Sequence, residues 1–419
     1  MPELKSGGIS LKNIMLFLAV IGPGIITASV DNDAGGITTY SLAGARFGYM
    51  LLWTLVPITV ALIVVQEMCA RMGVVTGKGL SDLIRENFGV RITVLLIIVL
   101  VLANLGNTMA EFAGVAASLE IFGVSKYISV PIAAALVWVL VVKGTYSFVE
   151  KIFMIASTFY VTYVISGFLA GPNWGQVIEK SVVPSFSFQP SYLLMLIGLV
   201  GTTIAPWMQF YIQSAIVEKG VRLSDYKFTR LDVIMGCFVT SIVAFFIIMT
   251  CAATMYLQGI PIETAADAAR ALAPLAGKYA SWLFAFGLFN ASVFAASILP
   301  LATAYTVCEG IGWESGIDKK FSDAPQFYVL YTSLIVLGAL AILIPGAPLI
   351  SIMLVSQVLN GMLLPFVLVF MLLLINNKKL MGEYTNSKLF NVLAWGTTII
   401  MSILTVLLVV TSIIPGLFK

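Results

Sequence analysis

The fold of this chain is decided by the stretch Asp31-Asn32-Asp33-Ala34-Gly35-Gly36, which interrupts its first long apolar run. A carboxylate near the middle of a bilayer costs roughly 2.5–3.5 kcal/mol, so two of them two residues apart require a functional reason. Glycine lets a helix unwind and expose backbone carbonyl groups to a ligand. The pattern therefore predicts a broken membrane helix that binds a cation.

A second interruption lies in the middle of the chain, where apolar residues 193–200 lead into Gly201-Thr202-Thr203-Ile204-Ala205-Pro206-Trp207. Pro206 lacks a backbone donor and disfavours helix at Ala205, which frees carbonyl groups nearby. Two broken segments in corresponding places of two halves point to a transporter site at the bilayer midplane. We expect Asp33 to bind the ion there, helped by carbonyls near Gly35, Thr202 and Ala205 and by a threonine hydroxyl.

The composition is that of an integral membrane protein. The 419 residues are 60% hydrophobic and 10% charged, and the mean hydropathy is +1.02. With about 20 apolar residues per spanning helix, we expect about eleven transmembrane helices. They centre near residues 28, 60, 105, 136, 160, 204, 243, 293, 335, 362 and 401.

The predicted organisation is one transmembrane transporter domain over residues 1–419. Residues 13–170 would form a first five-helix repeat, residues 190–375 a second, and residues 388–415 an extra eleventh helix. The first apolar run continues without a cleavage-type end, so we expect it to be retained as a helix.

The Lys and Arg residues predict the orientation in a plasma membrane, with a cytoplasmic amino terminus and an external carboxyl terminus. In that orientation, most of the 23 basic residues are cytoplasmic. The exceptions are Arg46, Lys126, Lys180, Arg270, Lys278 and Lys419. Near the cytoplasmic boundary, Glu67 and Arg71 are four residues apart and are expected to pair.

The composition and motifs exclude several other classes. The chain has no histidine, no phosphate-binding glycine loop and no nucleophile paired with a base, so we predict no enzyme activity and no cofactor. The net charge of +3 belongs to cytoplasmic loops and does not indicate a nucleic-acid partner. The four cysteines stand singly in apolar segments, which is typical of buried small hydrophobic residues.

Polar side chains in the third and tenth segments are candidates for a vestibule or gate. Asn104, Thr108 and Glu111 share one helix face. Interhelical hydrogen bonding is the favoured interpretation for the first two, whereas an intramembrane Glu111 is a functional candidate by default. Gln357 and Asn360 share a face of the tenth segment. Trp207 and Gln209, which follow Pro206 in the sequence, are further candidates for the vestibule.

These stretches resemble the Nramp divalent-metal transporters over most of the chain. The resemblance implies the leucine-transporter type of inverted five-helix repeats, with helices 1 and 6 broken. The matching stretches are Gly22-Pro23, Asp33-Ala34-Gly35-Gly36, Ala43 to Trp53, Ala110-Glu111-Phe112, Ser356-Gln357-Val358 and Lys379-Leu380-Met381-Gly382.

Departures from the family pattern change the expected chemistry. The family's Asp-Pro-Gly-Asn motif is Asp33-Ala34-Gly35-Gly36 here, and its Met-Pro-His motif is Ala205-Pro206-Trp207. The metal-binding Asp is kept, while the Asn, the thioether and the histidine are replaced. Thr108 stands where the family has an Asp in the third helix, and Leu363 stands where the family has a Gln in the tenth helix. This set resembles the Nramp-related magnesium transporters.

The sequence thus predicts a monomeric, prokaryotic carrier that imports Mg²⁺, and also Mn²⁺, by alternating access without proton coupling. A thioether favours transition metals, so its loss at Ala205 weakens selection against Mg²⁺. Mg²⁺ keeps several waters and needs only one or two carboxylates, and small residues at Gly36 and Ala205 would leave room for them. Asp31 would either converge with Asp33 in unwound backbone, or lie against a helix amino terminus or in the external vestibule.

Three alternatives remain open at this point. A proton-coupled Mn²⁺/Fe²⁺ symporter is the nearest, and a sodium-coupled amino-acid carrier of the same architecture is the next, because half-helix amino termini also bind carboxylates. A channel or a metal sensor without transport is the third. The partners expected in every case are the metal ion, or the carried solute, and the lipid bilayer.

Overall fold

The computed structural model describes residues 27, 30–143, 160–270 and 277–413, and all regular structure within these residues is helical. The helices in chain order are α1 (Ala34–Phe47), α2 (Leu55–Thr76), α3 (Leu80–Phe88), α4 (Val90–Glu120), α5 (Lys126–Val142), α6 (Val161–Leu169), α7 (Trp174–Val182), α8 (Pro190–Thr203), α9 (Pro206–Glu218), α10 (Tyr226–Cys251), α11 (Ala265–Ala269), α12 (Ala280–Ile311), α13 (Pro325–Leu343), α14 (Leu349–Ile375), α15 (Lys378–Met381) and α16 (Lys388–Ile413). A 3₁₀ turn over Gly48–Thr54 joins α1 to α2, and a π turn over Ala252–Tyr256 ends α10.

Eight apolar helical runs among the described residues are long enough to cross a membrane. One of them, Ala34–Thr76, contains both α1 and α2, and α5 is a shorter apolar helix of 17 residues. The segment predicted near residue 160 is described only from residue 160 onward. The protein is therefore an all-helical, multi-pass membrane protein, and the count of eleven spans stays a prediction.

Both predicted helix breaks are present. Val30 is helical, residues 31–33 are not, and α1 begins at Ala34. In the middle of the chain α8 ends at Thr203, Ala205 is extended (φ −68°, ψ 139°), and Pro206 begins α9. Pro206 is tolerated there because the first helical position needs no backbone donor.

The position of the first break corrects one detail of the sequence analysis. The chain leaves the helix before the glycines, and Gly35 and Gly36 lie inside the first turns of α1. Asp33 caps this helix through its side chain, so a new helix starts as soon as that carboxylate is in place. The glycines serve close packing instead, because a Cβ at Gly35 would overlap the Gln357 side chain.

The broken helices lie in the centre of the bundle. α1 packs against α8, α10 and α14, while α4 and α12 run against each other beside it. α16 lies at the edge, where Val392, Ile399 and Val406 are exposed at 55–69% of their surface. Exposed large apolar side chains on a helix of a membrane protein are suited to contact with lipid.

Candidate metal-ion site

Asp33 stands at the first break as the N-cap of α1. Its Oδ1 accepts a hydrogen bond of 2.6 Å from Gly36 N–H, and its backbone is extended (φ −66°, ψ −174°). Asp33 is only 4% exposed. A buried carboxylate at a helix amino terminus is stabilised by the helix dipole and by the free N–H groups there. The break therefore places one carboxyl group inside the protein, at the amino terminus of a helix.

A second carboxyl group from α4 meets Asp33. Glu111 Oε2 accepts a hydrogen bond of 3.2 Å from Ala34 N–H, and the carboxyl groups of Glu111 and Asp33 lie within hydrogen-bond reach of each other. Two adjacent buried carboxylates repel strongly unless a proton or a cation lies between them. The pair is therefore suited to binding either species.

The second break supplies hydroxyl groups to the same region. Thr202 Oγ1 is buried, has no hydrogen bond to any described residue, and lies 3.1 Å from the position of a Cβ at Gly36. Tyr40 of α1 bonds to Thr203 Oγ1 at 2.8 Å, and Thr203 donates to Leu199 O, so Tyr40 O–H is the donor. The predicted juxtaposition of Asp33, Gly36 and Thr202 is present.

The carbonyl oxygen of Ala205 already has hydrogen-bond donors. It accepts 3.1 Å from Met208 N–H. With the Gln209 amide oriented so that its nitrogen faces the break, that nitrogen lies 2.6 Å from the carbonyl oxygens of both Ala205 and Pro206. Gln209 thus braces the second break from within α9, and the Ala205 carbonyl is less available to an ion than the sequence suggested.

A thioether sulfur, that of Met208, lies at the second break. Met208 Sδ accepts a hydrogen bond of 3.2 Å from Ala205 N–H, so the sulfur lies one helical turn before its own Cα. The sequence analysis counted the soft ligand as lost with Ala205. The side chain at position 205 carries no sulfur, but the sulfur of Met208 lies against the backbone N–H of Ala205.

Asp31 and Asp33 point to different surroundings. Asp31 is 2% exposed and faces Gln66 of α2, Met208 of α9 and Cys237 of α10, whereas Asp33 faces Glu111 of α4. The backbone carbonyl of Asp31, rather than its carboxylate, lies against Gly36. The Asp31 carboxylate is thus buried within the bundle and is not exposed in an external vestibule.

Gln357 and Asn360 of α14 form an amide network with Asn107 of α4. Asn360 exchanges two hydrogen bonds of 3.0 Å with Asn107 and donates 2.9 Å to Gln357 Oε1. The Gln357 side chain lies directly beside Gly35. The network therefore connects α4 and α14 to the start of α1.

Three of the other predicted residues make different contacts. Thr108 Oγ1 donates to Asn104 O in its own helix, and its methyl group packs at Gly338 of α13, so the structure does not bring it to the break. Asn104 donates 2.9 Å to Thr303 Oγ1, which is the interhelical bond that the sequence favoured. Trp207 is buried beside the ring of Tyr211.

Three residues near the breaks were missed by the sequence analysis, namely Gln66, Asn107 and Met208. Asn107 was detectable, because an amide one turn before Glu111 is unusual in an apolar helix. Gln66 and Met208 gave no signal, since only packing between distant helices shows what they face. No group of three or more His, Cys, Asp or Glu side chains that could hold a metal is found in the described part of the chain.

Two broken helices that place buried carboxyl groups and hydroxyls together inside a helical bundle define a multi-pass membrane transporter. The sequence profile described as "Natural resistance-associated macrophage protein-like" matches residues 24–411. The chain therefore belongs to the Nramp family, as its motifs indicated.

Individual relatives are consistent with that membership. The chain is 26% identical over 399 residues to the divalent metal cation transporter MntH of Caldanaerobacter subterraneus, covering 91% of this chain and 90% of that protein. The structure resembles the Eremococcus coleocola manganese transporter, with a TM-score of 0.77, 22% identity and coverage of 99% of this chain and 91% of that one. It also resembles a nucleobase-cation-symport-1 family transporter in a closed conformation, with a TM-score of 0.56, 15% identity and 94% coverage of both chains.

Proposed function

We propose that this protein is a carrier that imports divalent cations, with Asp33 as the residue that binds the ion. The observation that supports this most directly is the buried Asp33 carboxylate at the amino terminus of α1, beside Glu111 and the unbonded Thr202 hydroxyl. Names of relatives agree, since they are divalent metal cation and manganese transporters. Enzyme activity is no part of the proposal.

We propose Mg²⁺ as the main substrate, with Mn²⁺ as a second one. The oxygen groups around Asp33 are hard donors, which suit Mg²⁺ and Mn²⁺ alike. Gly36 and Ala205 present no ligating side chain, so the ion would be held by few direct protein ligands and would keep part of its water. The substrate preference follows from this chemistry together with the departures from the family motifs.

Transport would occur by alternating access, in which the bundle that holds both breaks moves against the other helices. Asp33 and Glu111 are almost fully buried, so this movement would have to open a path from each side of the membrane to the ion. For a divalent ion the membrane potential supplies about 4.6 kcal/mol per 100 mV, at about 2.3 per charge. Import would therefore need no coupled proton.

A proton-coupled Mn²⁺ symporter is the second candidate, and one contact favours it. Glu111 and Asp33 lie within hydrogen-bond reach, so the pair is able to hold a proton and release it when the ion binds. The chain contains no imidazole to carry that proton further near neutral pH. Proton movement is the measurement that separates the two candidates.

We also propose the topology and assembly. The amino terminus is cytoplasmic and the carboxyl terminus external, in agreement with the distribution of basic residues. Residues 13–170 and 190–375 form inverted repeats, each contributing one broken helix, and residues 388–415 form the extra helix. A monomer suffices for transport, because Asp33, Glu111 and Thr202 all come from one chain.

The test is uptake of Mg²⁺ and of Mn²⁺ into proteoliposomes, with an internal pH dye read in the same vesicles. We expect Mg²⁺ to enter, accelerated by an inside-negative potential, while the internal pH stays constant. Entry of Mn²⁺ with acidification and exclusion of Mg²⁺ would establish the second candidate instead. Binding of metal without any flux would identify a sensor and defeat both.

A further inference from the structure

A separate small cavity lies on the other side of the first break. Asp31 lines it together with Gln66 of α2, Met208 of α9 and Cys237 of α10, and the rest of its wall is apolar. It is too narrow for a sphere the size of a water molecule. None of these four residues contributes to the proposed function of Asp33.

The carboxyl and amide groups that face this cavity have no partner among the described residues. Within that part of the chain, both carboxyl oxygens of Asp31 and both amide atoms of Gln66 make no hydrogen bond, and each residue is only 2% exposed. Leaving a buried charged or polar group without a partner is strongly unfavourable. A cation held between the carboxylate and the amide oxygen would satisfy three of the four atoms.

Two sulfur atoms complete the set of donors. Met208 contributes a thioether that accepts only the hydrogen bond from Ala205 N–H, and Cys237 contributes a free, buried thiol. Sulfur ligands favour borderline-soft and soft ions such as Zn²⁺ and, more strongly, Cd²⁺ over Mg²⁺. The narrowness acts in the same direction, because Mg²⁺ gives up its waters reluctantly and there is no room for them here.

We propose that Asp31, Gln66, Met208 and Cys237 form a second divalent-cation site, selective for borderline-soft ions over Mg²⁺ and distinct from the Asp33 site. The ion is coordinated by the Asp31 carboxylate, the Gln66 amide oxygen and the two sulfurs, and the thiol proton of Cys237 is released to solvent on binding. The four ligands come from the first break and from three different helices. An ion bound there links both broken helices to α2 and α10.

Cd²⁺ is the probe, because a Cd²⁺–thiolate bond gives an ultraviolet charge-transfer absorbance. Calorimetric titration of the purified full-length protein should find about two Cd²⁺ equivalents in the wild type and about one in Asp31→Asn and in Cys237→Ser. The absorbance should be present in the wild type and absent in Cys237→Ser. Mg²⁺ should bind the wild type and both variants with the same single equivalent.

Cys251→Ser is the matched control. Cys251 is a buried free thiol on the same helix, but it lies against Ser41 and away from the cavity. This variant should keep both Cd²⁺ equivalents and the absorbance. Asp33→Asn should lose one equivalent and keep the absorbance, so failure of the Asp33 assignment and failure of the second site give different results.

A single Cd²⁺ equivalent in the wild type that persists in Cys237→Ser, or an unchanged absorbance in Cys237→Ser, would overturn the second site. If Asp31→Asn does not fold, Met208→Leu decides the question, because it preserves side-chain volume and removes only the thioether. It should weaken Cd²⁺ binding at least tenfold while leaving Mg²⁺ binding unchanged. Unaltered Cd²⁺ affinity in that variant would also count against the site.

Discussion

Asp33 performs two tasks with one carboxyl group, since it caps α1 through Gly36 N–H and carries the charge that we assign to the ion. The two tasks have different chemical requirements. An Asn side chain caps a helix about as well as Asp, because its carbonyl oxygen accepts the same hydrogen bond, but it is neutral. Substitution to Asn therefore separates the charge from the cap.

We expect Asp33→Asn to abolish Mg²⁺ and Mn²⁺ uptake while its unfolding free energy stays within about 0.5 kcal/mol of the wild type. Asp33→Ala should lose uptake and also lose about 0.5–2 kcal/mol of stability, because the cap is removed as well. Vesicle flux and thermal unfolding in detergent measure the two effects. Wild-type uptake by Asp33→Asn would show that the ion binds elsewhere.

Gly36 is required for the close approach of the two breaks. A Cβ at this position would overlap the Asp31 carbonyl oxygen and would lie 3.1 Å from Thr202 Oγ1. Gly36→Ala should destabilise the protein by about 1–3 kcal/mol, as overpacking does, and should reduce uptake because Thr202 is pushed away from Asp33.

Gly106→Ala is the control for that substitution. Gly106 lies inside α4, and no heavy atom of a neighbouring element lies within 4 Å of the place that an alanine methyl group would occupy. Alanine in a helix interior is favoured over glycine by about 0.5–1 kcal/mol, so this variant should be slightly more stable than the wild type. Equal thermal stability of both variants would contradict the close approach at Gly36.

Among the helices, the crossing of α8 and α14 positions the second break. A Cβ at Gly201 would overlap the backbone of α14 at Gln357 and Gly361, and a Cβ at Gly361 would overlap Ile197 O of α8. Small residues at a membrane helix interface let the backbones approach closely, so packing takes the place of a hydrophobic driving force.

Gly201→Ala and Gly361→Ala should therefore each lower thermal stability, by about 1–3 kcal/mol, and should impair transport by displacing Thr202. Their double variant should lose less than the sum of the two, because both substitutions separate the same pair of helices. Gly396→Ala in α16, where a Cβ would meet no heavy atom within 4 Å, is the neutral reference. A neutral Gly201→Ala would refute the close crossing.

At the scale of the whole bundle, a buried polar cluster connects several helices at one end of the bundle. Glu67 of α2 pairs with Arg71 at 3.0 Å, as the sequence predicted, and accepts from Tyr226 O–H of α10. Arg71 also donates to the carbonyl oxygens of Tyr384 and Thr385, at 3.1 and 3.2 Å. The cluster thus ties α2 and α10 to the segment that precedes α16.

Arg71→Met should destabilise the protein by up to about 3–5 kcal/mol, because the buried Glu67 carboxylate keeps only the half-exposed Arg230, 4.0 Å away, as a cation partner. Adding Glu67→Gln should restore a large part of that loss, and thermal unfolding of the two single variants and the double variant measures it. The exposed pair of Lys78 and Glu86 is the comparison, since Lys78→Met should cost less than about 1 kcal/mol. Equal losses of unfolding free energy in Lys78→Met and Arg71→Met would contradict a stabilising role of the buried ion pair.

Local chemistry in the sequence was enough to predict where the helices are and where two of them break. Apolar runs, the acidic residues at 31 and 33, and Pro206 act on the chain beside them, and a linear pattern records such effects directly. The amino-terminal capping by Asp33 was within reach of the same local rules, but the break was expected at the glycines. The family could be named on motifs because they are contiguous stretches.

Which groups meet was settled only by the packing of the helices. Glu111 reaches Ala34 across 77 residues, and Asn107 reaches Asn360 across 253. The packing of the helices directs the Asp31 carboxylate to different neighbours from those of Asp33. It also places the Met208 sulfur against the backbone of Ala205 and the Thr108 side chain against α13. The physical reason is that contacts between helices depend on rotation and crossing within the bundle, and no periodicity along one helix specifies what its neighbour presents.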